Sequence, residues 1–335
     1  MAILTSYDLN GKKDSFANWI SNLSPVDTFF VSTTKKEQVK NTMFQWQTDS
    51  LAAADVTNAQ VETSAAVTAA FKATKVHSNV TQILRKSVEV SDTADALDNW
   101  GRQKELAYQM EKAGLEIKRD LEAILLQVTN VANGEKDTGT VGTEGETQFV
   151  KNDGGVGNAV TGTARKTRSF GDLVGAGATG VDADKDTGAV VVKTTVGTKV
   201  ILESELFDMT YQLYLAGANA NTIMFHPEHA AFFSSLMETA AGRQKLIGNM
   251  ETTLNKFVGS LIDPLGQQFT LVPNRFMPKT AIYIFNPEDW TQMVLREPAK
   301  MELAKKGSSE RHMIEMEIGL RHKNPFASAV LKIKQ

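Results

Sequence analysis

Cysteine is absent from the 335-residue chain, which excludes disulfide bonds, thiolate metal sites and cysteine nucleophiles. No apolar run reaches the roughly 18–20 residues that a membrane-spanning helix needs. The N-terminal segment MAILTSYDLNGKKDSF lacks the apolar core of a signal peptide, so we expect a protein that begins in a cytoplasm. Neither charge sign dominates, because 36 Lys and Arg face 39 Asp and Glu. The net charge of −3 therefore excludes a strong general attraction to nucleic acid or to anionic membranes.

Motifs for nucleotide and calcium binding are incomplete. Gly175–Gly180 matches G-x-G-x-x-G, but the turn and strand residues after it replace the helix that a pyrophosphate site needs. Asp182, Asp184 and Asp186 resemble the start of a calcium loop, yet the loop's required Gly and Glu are missing. We interpret this segment as a solvated acidic turn, with a weak cation site as the alternative. The sequence predicts no cofactor and no metal site.

Catalytic signatures are also missing. The chain has no G-x-S-x-G, no H-E-x-x-H and no Walker loop. His226, Glu228 and His229 flank Pro227, and this grouping is typical of the start of a helix. A cytoplasmic α/β enzyme that uses these three residues with a metal or nucleotide is the alternative in another functional class. We predict no catalytic residue.

The first third of the chain has an unusual layout. Residues 1–40 read as an arm, with a short helix over Ser15–Leu23 and extended chain over Val26–Phe30. Two strands, Phe44–Gln47 and Val80–Val90, are predicted to form an extended hairpin around a long Ala/Thr/Val-rich tip. An isolated hairpin is marginal in water, so it must lie on its own subunit or on another one.

One long amphipathic helix follows over residues 98–131. Its apolar stripe recurs at spacings of three and four and comprises Leu106, Met110, Ala113, Ile117, Leu121, Ile124 and Val128. Lys118 and Glu122 are predicted to pair on a wet side of the helix. Asn133 and Gly134 supply a typical stop signal.

The rest of the chain alternates between element types. Residues 134–197 hold 14 of the 24 glycines and read as a surface insertion of turns and short strands. The spacing then predicts a helix over residues 203–216, a strand at Thr222–Phe225 and a helix opened by Pro227. The C-terminal region is predicted to be mainly strands: Phe269–Val272, Ala281–Phe285, a half-buried strand with Ile314, Met316, Ile318 and Leu320 on one face, and Phe326–Ile333. This order indicates an α+β protein.

The order of elements resembles that of the major capsid proteins of tailed bacteriophages, which have the Hong Kong 97-type fold. Three segments are similar in amino-acid sequence to a podovirus-associated branch of that family: Asn18–Phe30 (NWISNLSPVDTFF), Asn79–Ser91 (NVTQILRKSVEVS) and Gly101–Leu125, which resembles the branch's spine helix. Phe29 stands where that branch is expected to carry proline, and the Gly-rich insert is longer than expected.

The resemblance implies a division of the chain into six regions: a 1–40 N-terminal arm, a 41–92 extended loop, a 93–133 spine helix of the peripheral domain, a 134–197 insert with peripheral and axial strands, a 198–300 axial domain, and 301–335 return strands of the peripheral domain. The resemblance also implies that the protein has a structural function. Copies would form hexamers and pentamers of an icosahedral virion shell, assembled in the host cytoplasm.

The resemblance also implies partners: a separate scaffolding protein, a portal, a decoration protein, and double-stranded DNA held by weak non-specific contact. The candidate residues for contact between subunits are Phe16, Trp19, Phe29, Phe30, Phe44, Trp46, Phe71, Ile83, Leu84, Arg85 and Lys86. Basic residues that would face DNA are Lys12, Lys13, Lys35 and Lys36. An encapsulin-like nanocompartment shell is the alternative that shares this fold, and DNA in purified particles would separate the two.

Overall fold

The computed structural model describes residues 27–49, 51, 54, 56–60, 62, 74–97, 104–128, 165–174, 192–239 and 259–334. These residues belong to two compact units. The smaller unit takes its described residues from Arg85–Ile117 and Ala299–Glu315, and the larger from Thr28–Leu84, Lys118–Pro298 and Met316–Gln335. No helix in the described part of the chain is both long enough and apolar enough to cross a membrane.

Helices and strands mix along the chain, as the sequence predicts for an α+β protein. The helices are α1 (Phe29–Thr33), α2 (Asp92–Ala96), α3 (Glu105–Leu125), α4 (Phe170–Leu173), α5 (Glu203–Leu215) and α6 (Ala230–Thr239). The strands are β1 (Lys35–Gln38), β2 (Met43–Thr48), β3 (Lys75–Val80), β4 (Gln82–Ser91), β5 (Val192–Thr198), β6 (Thr222–Phe225), β7 (Ser260–Ile262), β8 (Gln268–Pro273), β9 (Ala281–Phe285), β10 (Trp290–Leu303), β11 (Ser309–His322) and β12 (Ala329–Lys334).

A six-stranded sheet in the order β5-β12-β9-β6-β8-β7 forms the centre of the larger unit. Alternate residues of its central strands point to opposite faces, so Ile282 and Ile284 join the cluster under α5 and α6 while Tyr283 lies on the other face. On that other face Tyr283 stacks on Phe170, whose ring also stacks on Trp290. Because both faces are covered, every residue of β6 and β9 is buried.

The close approach of two segments explains one glycine in this aromatic layer. A Cβ atom added at Gly171 would lie 2.1 Å from the carbonyl oxygen of Val128, so no other residue fits there without a backbone shift. The amide of Gly171 donates to the carbonyl of Gln127 at 3.3 Å. Gly171 therefore lets α4 lie directly against the chain that leaves α3.

The remaining sheets are a four-stranded sheet in the order β1-β10-β11-β4 and a two-stranded hairpin of β2 and β3. The predicted half-buried pattern of β11 is wrong. Glu315 and Glu317, expected on a wet face, are only 5% and 3% exposed. Arginines explain their burial, because Arg85 pairs with Glu315, and Arg165 and Arg296 pair with Glu317.

The hairpin was predicted with the wrong return strand. β2 pairs with β3, with Met43 opposite Val80 and Thr48 opposite Lys75, whereas β4 neighbours β11 in the four-stranded sheet. Thr81 lies between β3 and β4. Its amide donates to the carbonyl of Thr42 at 2.8 Å, and its hydroxyl donates to Glu317. These contacts end the hairpin ladder at Val80.

Two boundaries also differ from the prediction, and tertiary hydrogen bonds explain both. Val26–Phe30 was expected to be extended, but Phe29 and Phe30 begin α1. The long helix was expected to reach residue 131, but α3 ends at Leu125, where the hydroxyl of Tyr283 donates to the carbonyl of Leu126 at 2.8 Å. The predictions of α5, β6 and β9 are confirmed within one residue.

Candidate assembly surfaces

The root of the N-terminal arm is held by one buried carboxylate. Glu122 on α3 is fully buried, and its two oxygens accept the backbone amides of Phe30 at 2.9 Å and Val31 at 2.8 Å. These are amides of the first turn of α1, which receives no cap from the side chain of Thr28. Asn274 donates a third hydrogen bond to Glu122 at 2.7 Å. Glu122 thus acts as a helix cap that is about ninety residues away in the chain.

The predicted wet-side pair of Lys118 with Glu122 is therefore wrong. The ammonium group of Lys118 donates to Ser32 instead, at 3.3 Å. Burial raises the pKa of the Glu122 carboxyl, although the amides of Val31 and Phe30, and to a smaller extent Asn274 and Lys118, lower it. The groups that donate hydrogen bonds to Glu122 are all neutral, so hydrogen bonds and not an ion pair hold this carboxylate.

Further contacts fix the direction in which the arm leaves this root. Gln292 donates to the carbonyl of Val31 at 2.8 Å and to the hydroxyl of Thr34 at 2.6 Å. β1 then runs parallel to β10, with Lys35 opposite Thr291. Phe30 lies fully buried in the aromatic cluster with Phe170, Phe285 and Trp290. The arm root is thus part of the core of the larger unit.

The base of the hairpin rests on a notch in β11. Phe44 lies so close to Gly319 that a Cβ added there would be 2.6 Å from the phenylalanine ring. On the same face Phe44 stacks with Trp46, and Trp46 stacks with His77 of the paired strand. Phe44 and Trp46 are two positions apart on β2, so both rings lie on the same face of the strand.

Asn79 ties the second hairpin strand to the same region. Its side-chain amide donates to the carbonyl of Leu320 at 2.6 Å and to the hydroxyl of Thr167 at 3.1 Å, while its oxygen accepts the amide of Arg168 at 3.0 Å. Next to it, Glu317 accepts hydrogen bonds from Thr81 at 2.7 Å and Arg165 at 2.5 Å. The hairpin base is therefore bound to β11 by a buried polar network.

The far end of the hairpin has the opposite character. Leu51 is 97% exposed and Val56 is 96% exposed. The hairpin is anchored at its base, and Leu51 and Val56 at its far end lie in water, so this end presents a surface that another molecule can cover.

The smaller unit carries a groove of its own. A cavity of about 490 Å³ lies between β4 and the first half of α3, lined by residues that include Lys86, Val88, Gln109 and Ala113. Arg85 pairs with Glu315 in this unit, and Lys86 lies 4.0 Å from Glu116. The lining mixes charged side chains such as Lys86 with apolar ones such as Val88 and Ala113, and β4 is an edge strand of the four-stranded sheet.

The predicted contact residues fall into three groups. Phe30, Phe44 and Leu84 are buried within the chain, where packing accounts for them. Exposed or partly exposed positions comprise Phe29, Trp46, Ile83, Arg85 and Lys86. Phe16, Trp19 and Phe71 lie outside the described residues.

The predicted DNA-facing lysines fall into two groups. Lys35 and Lys36 are exposed on β1, whereas Lys12 and Lys13 lie outside the described residues. The predicted arm helix over Ser15–Leu23, the glycine motif at Gly175–Gly180 and its acidic neighbours also lie outside them, as does most of the 134–197 insert.

The histidine grouping is explained by helix-start chemistry. The Nδ1 atom of His226 accepts the amide of Glu228 at 3.2 Å, and Pro227 opens a 3-10 turn. Lys279 lies 3.0 Å from Glu228, and this hydrogen bond lowers the pKa of the Glu228 carboxyl. Burial lowers the pKa of the His226 imidazole. Across the described ranges, no three His, Asp or Glu side chains are grouped as metal ligands would be.

Sequence reasoning missed the residues that anchor the arm and the hairpin, namely Glu122, Asn79, Glu317 and Gly319. A carboxylate directly after Leu121 in the apolar stripe was the one available signal for Glu122. The others depend on contacts between segments far apart in the chain, which local periodicity does not report.

Comparison with known proteins agrees with these features. A family model described as SU10 major capsid protein matches residues 3–335. The chain is 49% identical over 347 residues to the major capsid protein of Escherichia phage Phieco32, a match that covers 98% of this chain and 96% of that protein.

Solved structures share the fold at low sequence identity. The capsid of cyanophage A-1(L) is similar with a TM-score of 0.64 and 11% identity, over 98% of each chain. The holo-SrpI encapsulin complex from Synechococcus elongatus PCC 7942 is similar with a TM-score of 0.53 and 11% identity, over 100% of this chain and 97% of that one. The fold is thus of the Hong Kong 97 type. Since the family model spans nearly the whole sequence, the chain belongs to the family of SU10 major capsid proteins.

Proposed function

We propose that copies of this chain form hexamers and pentamers that close into an icosahedral shell around double-stranded DNA. The observation that carries the proposal is the family match over residues 3–335, together with 49% identity to a phage major capsid protein. The chain is a structural component of a phage capsid and not an enzyme. The Nδ1 atom of His226 accepts the amide of Glu228, which is the geometry of a helix start.

The arm and the hairpin are the proposed locking elements between subunits. The hairpin tip exposes Leu51 and Val56, and such surface is a liability in a lone subunit. A neighbouring copy would cover it and gain apolar burial. Trp46 lies on β2 of the hairpin, and Ile83, Arg85 and Lys86 lie on β4. All four are exposed or partly exposed, so a second copy can reach them. Phe16, Trp19 and Phe29 are the corresponding proposals for the arm.

The six predicted regions supply the proposed roles within a capsomer. Residues 198–300 would form the axial domain around the capsomer axis. Residues 93–133 and 301–335 would form the peripheral domain, and the 134–197 insert would present surface for a decoration protein. Each specific interface should bury more than roughly 1,000 Å² in total.

Contact with packaged DNA is proposed to be weak. Lys35 and Lys36 on β1, with Lys12 and Lys13 in the arm, are the proposed DNA-facing residues. The net charge of −3 supports loose contact, because a wall that neutralised many phosphates would bind DNA tightly and with a steep salt dependence. Assembly in the host cytoplasm, a separate scaffolding protein and a portal complete the proposal.

Electron microscopy of the protein tests this function. The protein is expressed alone and then with its neighbouring genes. Closed shells, tubes or hexamer rings are the expected products, and DNA inside purified particles is expected in the second case. Particles filled with protein cargo would favour a nanocompartment, which the encapsulin likeness makes the second candidate. A uniform dimer or tetramer in both contexts would contradict the proposal.

A variant pair tests the role of the hairpin tip. Leu51→Ser combined with Val56→Ser should lower the yield of particles while leaving the unfolding transition of the subunit unchanged, because both side chains are already in water. Lys300→Ser, at an exposed position on β10, is the matched control and should assemble normally. Normal assembly of the tip variant would remove the hairpin tip from the proposed contact set.

A further inference from the structure

Exposed apolar side chains are concentrated at one end of the six-stranded sheet. Between residues 196 and 215 the chain exposes six large apolar side chains, each 44–78% accessible: Val196, Val200, Leu202, Tyr211, Tyr214 and Leu215. We call this set the β5 end surface. Single exposed apolar residues are ordinary, but six within twenty residues are not.

Local structure explains why these residues lie together. Val196 belongs to β5, the terminal strand of the sheet, and Val200 and Leu202 join that strand to α5. Tyr211, Tyr214 and Leu215 follow at helical spacings of three and four on α5. The opposite face of α5 is buried, with Leu206, Met209 and Leu213 in the core. The helix is therefore apolar on two sides, and the subunit's own sheet covers only one of them.

The opposite end of the same sheet has a smaller apolar surface. β7 is the terminal strand there, and Ile262 is 65% exposed. Leu265, in the turn that follows, is also exposed. These two residues form the β7 end surface. One sheet thus carries uncovered apolar groups at both of its edge strands, and four strands separate these edges.

The size of the β5 end surface indicates a protein partner. Six half-exposed large side chains amount to on the order of 400 Å² of apolar area. That area is about half of what one partner contributes to a standard protein interface of roughly 800 Å² per side. It is too large for incidental exposure and too small to be a complete interface. A subunit that touches its neighbour at several places needs contacts of this size.

We infer that the β5 end surface of one copy packs against the β7 end surface of the next copy, in a head-to-tail contact that repeats around a ring. This inference rests on the proposed assembly into hexamers and pentamers, and it names the residues of one contact. Surfaces that differ at the two ends of a subunit make heterologous interfaces, and these close into rings when the rotation between neighbours closes.

The contact is made by side chains and not by strand addition. The backbone amide of Val196 donates to the carboxylate of Glu205 at 2.6 Å, and the amide of Leu202 donates to the other oxygen at 3.1 Å. Glu205 itself is buried. Because this carboxylate occupies an amide that an added strand would need, the β5 end offers its apolar side chains instead of its backbone edge.

The absence of cysteine from the chain makes a direct cross-linking test available. A Val196→Cys, Ile262→Cys double variant is assembled into particles and treated with a short bis-maleimide, which does not require the narrow geometry of a disulfide. Leu202→Cys with Leu265→Cys is an independent second pair. The controls are each single variant, a mixture of the two single variants, and Val196→Cys with Ala231→Cys on α6.

The expected result is a ladder of covalent oligomers on a denaturing gel, reaching five or six chains for the double variants. The mixture of single variants should stop at dimers. Each single variant alone, and Val196→Cys with Ala231→Cys, should remain monomeric. Cross-linking of Val196→Cys with itself would indicate a two-fold contact and overturn the inference, as would monomers from both double variants in intact particles. Failure of the unmodified chain to form particles would instead contradict the proposed function.

Discussion

Two buried carboxylates hold the arm and the hairpin, and they do so by different chemistry. Glu122 accepts three hydrogen bonds from neutral donors, namely two backbone amides and Asn274. Glu317 also joins distant segments, but two of its partners are cations, Arg165 and Arg296. Both carboxylates are almost completely excluded from water.

The chemistry of the partners decides how strongly salt and water compete for the contacts of Glu122 and Glu317. The donors around Glu122 are fixed by the backbone of α1 and by a buried side chain, so salt has little access to them. Arg165 and Arg296 keep 29% and 49% of their side chains exposed, so water and ions can compete for them. We therefore expect the arm root to depend on geometry and the hairpin base to depend on charge.

Removal of the Glu122 carboxylate should have the largest effect on stability. Glu122→Ala leaves three buried donors without an acceptor and should cost about 4 kcal/mol of unfolding free energy. Urea denaturation of the unassembled subunit measures this loss. Glu116→Ala, on an exposed part of the same helix, is the matched control and should cost less than about 0.5 kcal/mol. Equal losses for the two variants would mean that Glu122 does not cap α1.

A third buried group, His322, extends the comparison to pH. Burial, together with the charge of His77, lowers the pKa of the His322 imidazole to about 3. The imidazole therefore becomes protonated near pH 6.5 in the unfolded chain but stays neutral in the folded chain. The free energy of unfolding should fall as the pH drops from 6.5 toward 3. Over the two units from pH 6.5 to 4.5 the expected loss is about 2 kcal/mol, because the unfolded imidazole is already half protonated at pH 6.5.

The measurement for His322 is the urea midpoint of the subunit at several pH values between 7 and 4.5. His322→Gln keeps a side chain that can hydrogen-bond to the hydroxyl of Ser328 as donor or acceptor, and it cannot titrate, so its stability should change less over this range. His229→Gln, at a partly exposed position, should follow the unmodified protein. Parallel curves for His322→Gln and the unmodified protein would contradict the assignment.

Neutralising Glu317 should have a smaller effect that depends on salt. Glu317→Gln leaves Arg165 and Arg296 without their carboxylate, but both arginines can regain water, so the expected cost is about 2 kcal/mol. Because the remaining repulsion between the arginines is screened, the cost should shrink in 1 M salt. The cost of Glu122→Ala should be nearly the same at both salt concentrations. An unchanged cost for Glu317→Gln would remove the charge-based part of the comparison.

The notch under the hairpin should give the smallest effect. A methyl group at Gly319 would meet the ring edge of Phe44, which must move, so Gly319→Ala should cost about 1 kcal/mol. Phe44→Leu in the same chain should recover part of this loss, because it makes room for the methyl group. A double-mutant cycle measures the coupling between the two sites. Additive losses would mean that Phe44 does not rest on residue 319.

Local patterns predicted the elements whose boundaries are set locally. The acidic first turn of α5 and the unbroken apolar run of β9 are readable without tertiary information, and both were predicted within one residue. α1 was missed because its cap, Glu122, comes from another part of the chain. The end of α3 was missed because Tyr283 binds the carbonyl of Leu126 before the local stop signal is reached. The return strand of the hairpin was misplaced because Thr81 is bound by Glu317.

The candidate site was predicted only in part for the same reason. Phe44 and Trp46 were among the predicted contact residues, and the structure stacks their rings together. The polar anchors beneath them carry no pattern in the sequence, since Asn79, Glu317 and Gly319 meet only after β11 is in place. Local periodicity in the sequence cannot predict contacts that form only when three separate segments meet.

The meeting of Phe44 with Gly319 also constrains how related chains can diverge. The space between β2 and β11 holds one large ring and no side chain opposite it, so the two positions share a single volume. A relative with a larger residue at position 319 should therefore carry a smaller one at position 44. Across many relatives the two positions should vary together, and this pairing would identify the seat of the hairpin from sequences alone.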